Sequence, residues 1–232
     1  LSLFPGVARD WDWLLVSAAV VNILYGAVVT LRQSDLKRLI AYSSVSHMGL
    51  VVLGVASLGA VAGNVNPIGL NGAAMQMFTH GTITGLLFLL VGLMYDKTHT
   101  RYIPDMGGLA SRMPVIASVF VVAGLASLGL PGLSGFVSEV LVFLGAFPVW
   151  GWLTGIAVFG IVLTAGYILW MIQRIMFGVQ NHTLDDVSDA TPLELAPVAL
   201  MIVAIMVVGI YPAVIADAFS SGVQPIADAV GS

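Results

Sequence analysis

The chain has 232 residues, 59% hydrophobic and 9% charged, with a formal net charge of −4 and a mean hydropathy of +1.01. Soluble domains carry about 25% charged residues, so this composition excludes an ordinary water-soluble fold. It implies an all-α integral membrane protein, a polytopic helix bundle. The absence of cysteine excludes disulfides, thiolate catalysis, cysteine-ligated iron–sulfur clusters and Cys-type zinc sites, and no basic patch interleaved with aromatics points to nucleic acid.

The chain opens Leu1-Ser2-Leu3-Phe4-Pro5, without Met or a basic leader, and is read as a piece whose upstream part lies elsewhere. About 20 apolar residues span a bilayer, which gives six spans in chain order, at residues 12–31, 36–58, 71–95, 113–148, 152–177 and 194–216. The fourth is too long for one straight helix. Its centre, Gly129-Leu130-Pro131-Gly132-Leu133-Ser134-Gly135, removes a backbone donor at the proline and loosens the chain at Gly129, Gly132 and Gly135. Two half-helices around a break near mid-membrane are expected. Residues 1–217 form the membrane domain in this reading, and 218–232 a C-terminal tail, frayed from residue 222 onward.

Arg32, Lys37, Arg38, Lys97, Arg101, Arg112 and Arg174 fall in alternate connections, and only Arg9 falls on the other side. The positive-inside rule puts the first group in the cytoplasm. Trp11, Trp13, Trp150 and Trp152 then share the opposite interface, as belt residues do. The loop at 178–191, with Asp185, Asp186 and Asp189, reads as a solvated connector.

Three titratable residues sit where hydrocarbon rejects charge: His47, His80 and Glu139. A charge at the bilayer centre costs about 2.5–3.5 kcal/mol or more unless paired or wetted. Helical rise places His47 about 15 Å from the inner surface, and His80 and Glu139 about 13 Å from the outer one. Polar neighbours share their faces. Gln76, His80 and Thr84 are spaced i, i+4, i+8; Ser43, Ser44 and His47 form a second stripe; Ser138 precedes Glu139 after the break. A lone histidine in such a helix is as often a hydrogen-bond partner between helices. Three groups at one depth beside a broken helix favour a proton or ion path. Lys37 reads either as an anchor at the inner surface or as the entry of that path. His99 and His182 lie in loops and the methionines read as packing.

Three stretches carry a family signature: residues 34–49 (SDLKRLIAYSSVSHMG), 77–81 (MFTHG) and 128–139 (LGLPGLSGFVSE). Together they resemble the antiporter-like membrane subunits of respiratory complex I. Residues 46–49, and 95–101 ahead of 106–109, favour one member of that family over its siblings. The resemblance covers essentially this whole chain but only the last six of about fourteen spans, the second inverted repeat and the C-terminal helix. It implies that His47 and His80 lie on the central hydrophilic axis and that Glu139 is the acidic residue at the broken helix. The family's lysine and glutamate sites of the first repeat have no counterpart here.

The reading that follows is a proton-translocating subunit of a proton-pumping NADH–quinone oxidoreductase, in the bacterial inner membrane. Its partners would be neighbouring antiporter-like subunits, the lipid bilayer, water and protons. No cofactor is expected on this chain; NADH, FMN, iron–sulfur clusters and quinone would be held by other subunits. The alternatives are a cation/proton antiporter or membrane-hydrogenase subunit of the same fold, and a non-pumping membrane scaffold.

Overall fold

The computed structural model describes residues 7, 10–58, 60, 61, 64–184 and 187–231. Arg9, Asp185, Asp186 and the residues opening the chain lie outside the described residues. Among the described residues, eight helices of more than ten residues follow in order: α1 (Asp12–Leu31), α2 (Leu36–Ala56), α3 (Ile68–Thr98), α4 (Pro114–Ser127), α5 (Ser134–Trp150), α6 (Trp152–Met176), α7 (Pro192–Ile210) and α8 (Ala213–Gly231). A two-residue antiparallel pairing, Ala60–Val61 with Asn64–Val65, joins α2 to α3. Five of these helices (α1, α2, α3, α6 and α7) are long and apolar enough to cross a bilayer alone. At 14 and 17 residues, α4 and α5 are each short of a full crossing, and in series they make the sixth.

The expected boundaries hold within a few residues, and capping chemistry explains the differences. Asp35 caps α2, its carboxylate accepting from Arg38 N–H at 2.9 Å, so the helix starts at Leu36. Thr191 and Glu194 form a reciprocal capping box with Pro192 at the first helical position, which moves the start of α7 two residues earlier than expected. Its end comes earlier too. Pro212 has no N–H to donate, and α7 stops at Ile210 rather than running to Ala216. The expected frayed tail is overturned: α8 is helical through Gly231. Val223 and Ala227 are buried with Leu58 and Leu70, and Phe219 packs on Phe78 at 6.4 Å between ring centroids. That apolar contact stabilises a segment whose composition alone suggested disorder.

The basic connections meet at one end of the bundle. Leu36 N–H donates to Arg101 O at 2.9 Å and Ile103 N–H to Ser34 O at 2.8 Å. Lys97 pairs with Glu194 at 3.3 Å. The loop at 178–191 also docks here, contrary to the solvated-connector reading. Leu184 is buried, Asn181 Nδ2 donates to Asp105 O at 2.8 Å, and Arg112 Nη1 donates to Asn181 O at 3.2 Å. Asp189 accepts from Val115 N–H at 2.7 Å and Ile116 N–H at 3.2 Å. Its carboxylate therefore caps the amino end of α4, where the helix dipole and unpaired N–H groups favour an anion. At the other end Trp150 Nε1 donates to Ala56 O at 2.9 Å, while Trp11, Trp13 and Trp152 are exposed, a belt arrangement.

Helices α1 and α2 approach closely because Gly26 and Gly49 leave no side chain between them; a Cβ at either would overlap the facing helix. The largest buried cluster runs between α2, α3, α4 and α6, around Leu86, Leu90, Phe120 and Tyr167. This close packing fixes the relative depth of α2, α3 and α6, and with it the polar groups they carry.

Candidate functional site

The break between α4 and α5 is made by backbone geometry. Gly129 has φ +77° and Gly132 φ +92°, left-handed values that side-chain-bearing residues rarely adopt. The chain leaves α4 after Ser127 and re-enters helix at Ser134. Pro131 is exposed on that turn beside Leu130, and Gly135 passes so close to Ala126 O that a Cβ would overlap it. Gly209 of α7 packs directly on the backbone of Gly132 and Leu133, covering one side of the turn, while Leu130, Pro131 and Gly132 stay exposed.

Glu139 lies in the second turn of α5, 6% exposed. Its carboxylate folds back over the break: Oε2 touches Gly129, in space a Cβ there would occupy. Oε1 is 3.6 Å from His47 Nδ1. His47, on α2, is 3% exposed. Its other ring nitrogen, Nε2, faces two hydroxyls, Ser127 Oγ at 3.3 Å and Tyr167 Oη at 3.4 Å. The His80 ring from α3 lies beside that of His47, 5.1 Å between centroids and tilted by 34°. His80 Nε2 is 3.0 Å from Ser44 Oγ, with Thr84 Oγ1 at 3.2 Å. A neighbouring set joins α3 to α5: Ser138 Oγ donates to Gln76 Oε1, and Thr79 Oγ1 is 2.9 Å from Ser138 Oγ.

Thus seven of the residues singled out in the sequence converge. His47, His80 and Glu139 form one row with Ser44 and Thr84, and Gln76 and Ser138 sit alongside. Ser43 does not join them; its hydroxyl donates to Ile40 O at 2.8 Å within its own helix. Lys37 is exposed in the first turn of α2, ten residues and about 15 Å along the helix from His47. Ser127, Tyr167, Thr164, Thr79 and Ser46 were missed. Ser127 is the last residue before the break, and Tyr167 is a hydroxyl in an apolar helix, which needs a buried partner; those were the available signals.

A cavity of about 10 Å³ opens beside this row, lined by Ser46, His47, Glu139, Thr164, Leu128 and Gly160 among others. That is the minimum space for one water, in contact with the carboxylate, an imidazole and two hydroxyls. The 3.6 Å gap from His47 to Glu139 is just beyond a direct hydrogen bond, closed by a small side-chain motion or one bridging water. Among the described residues, no group of three or more His, Cys, Asp or Glu is placed to hold a metal ion. Titratable groups in file, with hydroxyls between helices, can pass protons.

Residues 1–164 match a family model described as the transmembrane region of NADH:quinone oxidoreductase and Mrp antiporter. NADH-quinone oxidoreductase subunit M of Rhodobacter capsulatus is 41% identical over 224 residues, covering 96% of this chain and 42% of that protein. Respiratory complex I of Thermus thermophilus superposes with TM-score 0.84 at 34% identity, over 98% of this chain and 46% of the matched one. The Mrp complex of a Dietzia species also reaches TM-score 0.84, over 98% of this chain and 49% of the matched one, but at 20% identity, a likeness of fold. The chain spans about two fifths of the length of the curated relatives it matches.

Proposed function

This chain belongs to the transmembrane family of NADH:quinone oxidoreductase and Mrp antiporter subunits, and from that premise we propose that it is the proton-relaying part of a subunit M (chain 4) type membrane subunit of a NADH–quinone oxidoreductase. The observation that carries this is the row Glu139–His47–His80 across three helices, with Glu139 on the second half of the broken one. Protons pass along it by occupancy: a group that loses its proton changes the field on its neighbour a few ångströms away and so shifts that neighbour's protonation. Lys37, Ser44 and His47 are spaced seven and three residues apart and so share a face of α2, which makes Lys37 the entry from the basic, cytoplasmic end. Redox energy arrives from other subunits, which carry NADH, flavin, iron–sulfur clusters and quinone. The chain works in the bacterial inner membrane, against neighbouring membrane subunits and lipid.

A cation/proton antiporter subunit shares the architecture. The higher identity to the complex I subunits, 34% against 20% for the Mrp structure, supports the oxidoreductase reading over it. A pure scaffold, in which these side chains only pair helices, is the other contender. Glu139→Gln separates them, because the amide keeps hydrogen bonding but cannot release a proton. In the intact complex the variant should assemble and oxidise NADH, while proton uptake by inverted vesicles falls severalfold. Uptake at the wild-type rate would leave the scaffold standing.

A further inference from the structure

We propose that Tyr167 and Ser127 are positioning residues that hold His47 as its Nδ1–H tautomer, so that its ring proton is aimed at Glu139. The inference rests on the proton-relay reading and specifies which way that relay runs through one ring.

A neutral imidazole has one donating and one accepting nitrogen, and the tautomer is set by what each faces. Nδ1 of His47 faces the Glu139 carboxylate at 3.6 Å. Nε2 faces Ser127 Oγ and Tyr167 Oη at 3.3 and 3.4 Å. The Tyr167 hydroxyl can donate its phenolic hydrogen to Nε2, 3.4 Å away. Ser127 stands at the carboxyl end of α4, where serine hydroxyls usually donate back to a carbonyl of their own helix; its polar partner here is instead Nε2. An ionised carboxylate only accepts, whereas a hydroxyl can donate, so the assignment that serves all these groups makes Nε2 the acceptor. Nδ1 then carries the hydrogen, directed at a carboxylate that takes it. Tyr167 is 1% exposed and Ser127 5%, so bulk water does not compete for these bonds.

This arrangement gives the ring an entrance and an exit. A proton delivered through the hydroxyl side binds Nε2 and makes the imidazolium. The Nδ1–H bond then breaks, a carboxyl O–H bond forms on Glu139, and the ring is left neutral with its hydrogen on Nε2. Before the next transfer the ring returns to the Nδ1–H form by passing its own Nε2 proton to Nδ1 through water in the adjoining cavity, so that no proton goes back to the hydroxyl side. Tyr167 and Ser127 set that resting state. Removing both hydroxyls deletes the bias and leaves Nε2 free to hold the hydrogen.

The test is ¹⁵N spectroscopy of histidine-labelled intact complex in lipid, with the His47 signal assigned by its loss in His47→Gln. Wild type should show Nδ1 protonated and Nε2 as acceptor. Tyr167→Phe with Ser127→Ala should shift the ring toward the Nε2–H tautomer and lower proton uptake by vesicles about tenfold, a loss in the range expected for outer-shell partners of a functional histidine. Ser127→Thr, which keeps a hydroxyl, should retain the wild-type signal. If His47 is Nε2–H in the wild type, or keeps Nδ1–H in the double variant, the inference fails whatever pumping does. If the tautomer behaves as described while Glu139→Gln still pumps normally, the inference stands and the relay reading fails.

Discussion

Gly129→Ala is the sharpest perturbation of the site, because it places one methyl group against the carboxylate without changing any charge. Gly129 has φ +77°, so any L side chain there costs about 1–2 kcal/mol of backbone strain. Its Cβ would also overlap Glu139 Oε2. Restoring van der Waals separation moves the carboxylate by about 1 Å, and a shift of that size can cost about 100-fold in a step that depends on near-contact geometry. Gly132→Ala is the matched control: φ is +92° and nothing lies within 4 Å of the added Cβ. Both variants should lower the unfolding midpoint of the complex by similar amounts. Only Gly129→Ala should lose most of its proton uptake, measured with a pH-sensitive dye in inverted vesicles and normalised to NADH oxidation. Equal losses in the two variants, or full pumping in Gly129→Ala, would refute the claim that carboxylate placement matters.

Other outcomes follow from the same geometry. Asp189→Ala removes the carboxylate that caps α4 and should cost about 1–2 kcal/mol, seen as a lower denaturation midpoint with pumping per assembled complex unchanged. Pro131→Ala should leave the break and the pumping largely intact, since two positive-φ glycines and the contact from Gly209 hold the break; a continuous helix in the variant structure would contradict this. Val179 is 94% exposed in the docked loop, and the chain has no cysteine of its own. Val179→Cys should therefore react with an impermeant maleimide only from the cytoplasmic side, and labelling from outside would invert the topology.

Much of this arrangement was legible in the sequence because hydrocarbon imposes simple rules. Spans follow from apolar length, the meeting of the basic connections at one end from the spacing of Arg and Lys, and His47, His80 and Glu139 stand out because a bilayer rejects them. The break was legible from Gly129–Gly135; what the sequence does not show is that Gly129 and Gly132 take positive φ there. What the sequence hid were contacts between distant segments. Ser127 and Tyr167 are each ordinary in a membrane helix, and only packing shows that both reach Nε2 of His47. Asp189 looked like one acid in a polar loop until α4 supplied its N–H partners. The helical end of the chain depended on an apolar patch formed by Leu58 and Leu70 from elsewhere, which no local window contains.

Difference infrared spectroscopy of the intact complex during NADH turnover reads the central claim most directly, since a carboxyl group that takes and gives a proton gains and loses its C=O stretch. The relay account expects such a band in the wild type, moved by ¹³C-glutamate labelling and absent from Glu139→Gln. The same band persisting in Glu139→Gln, or no carboxyl signal from a complex that pumps, would contradict it.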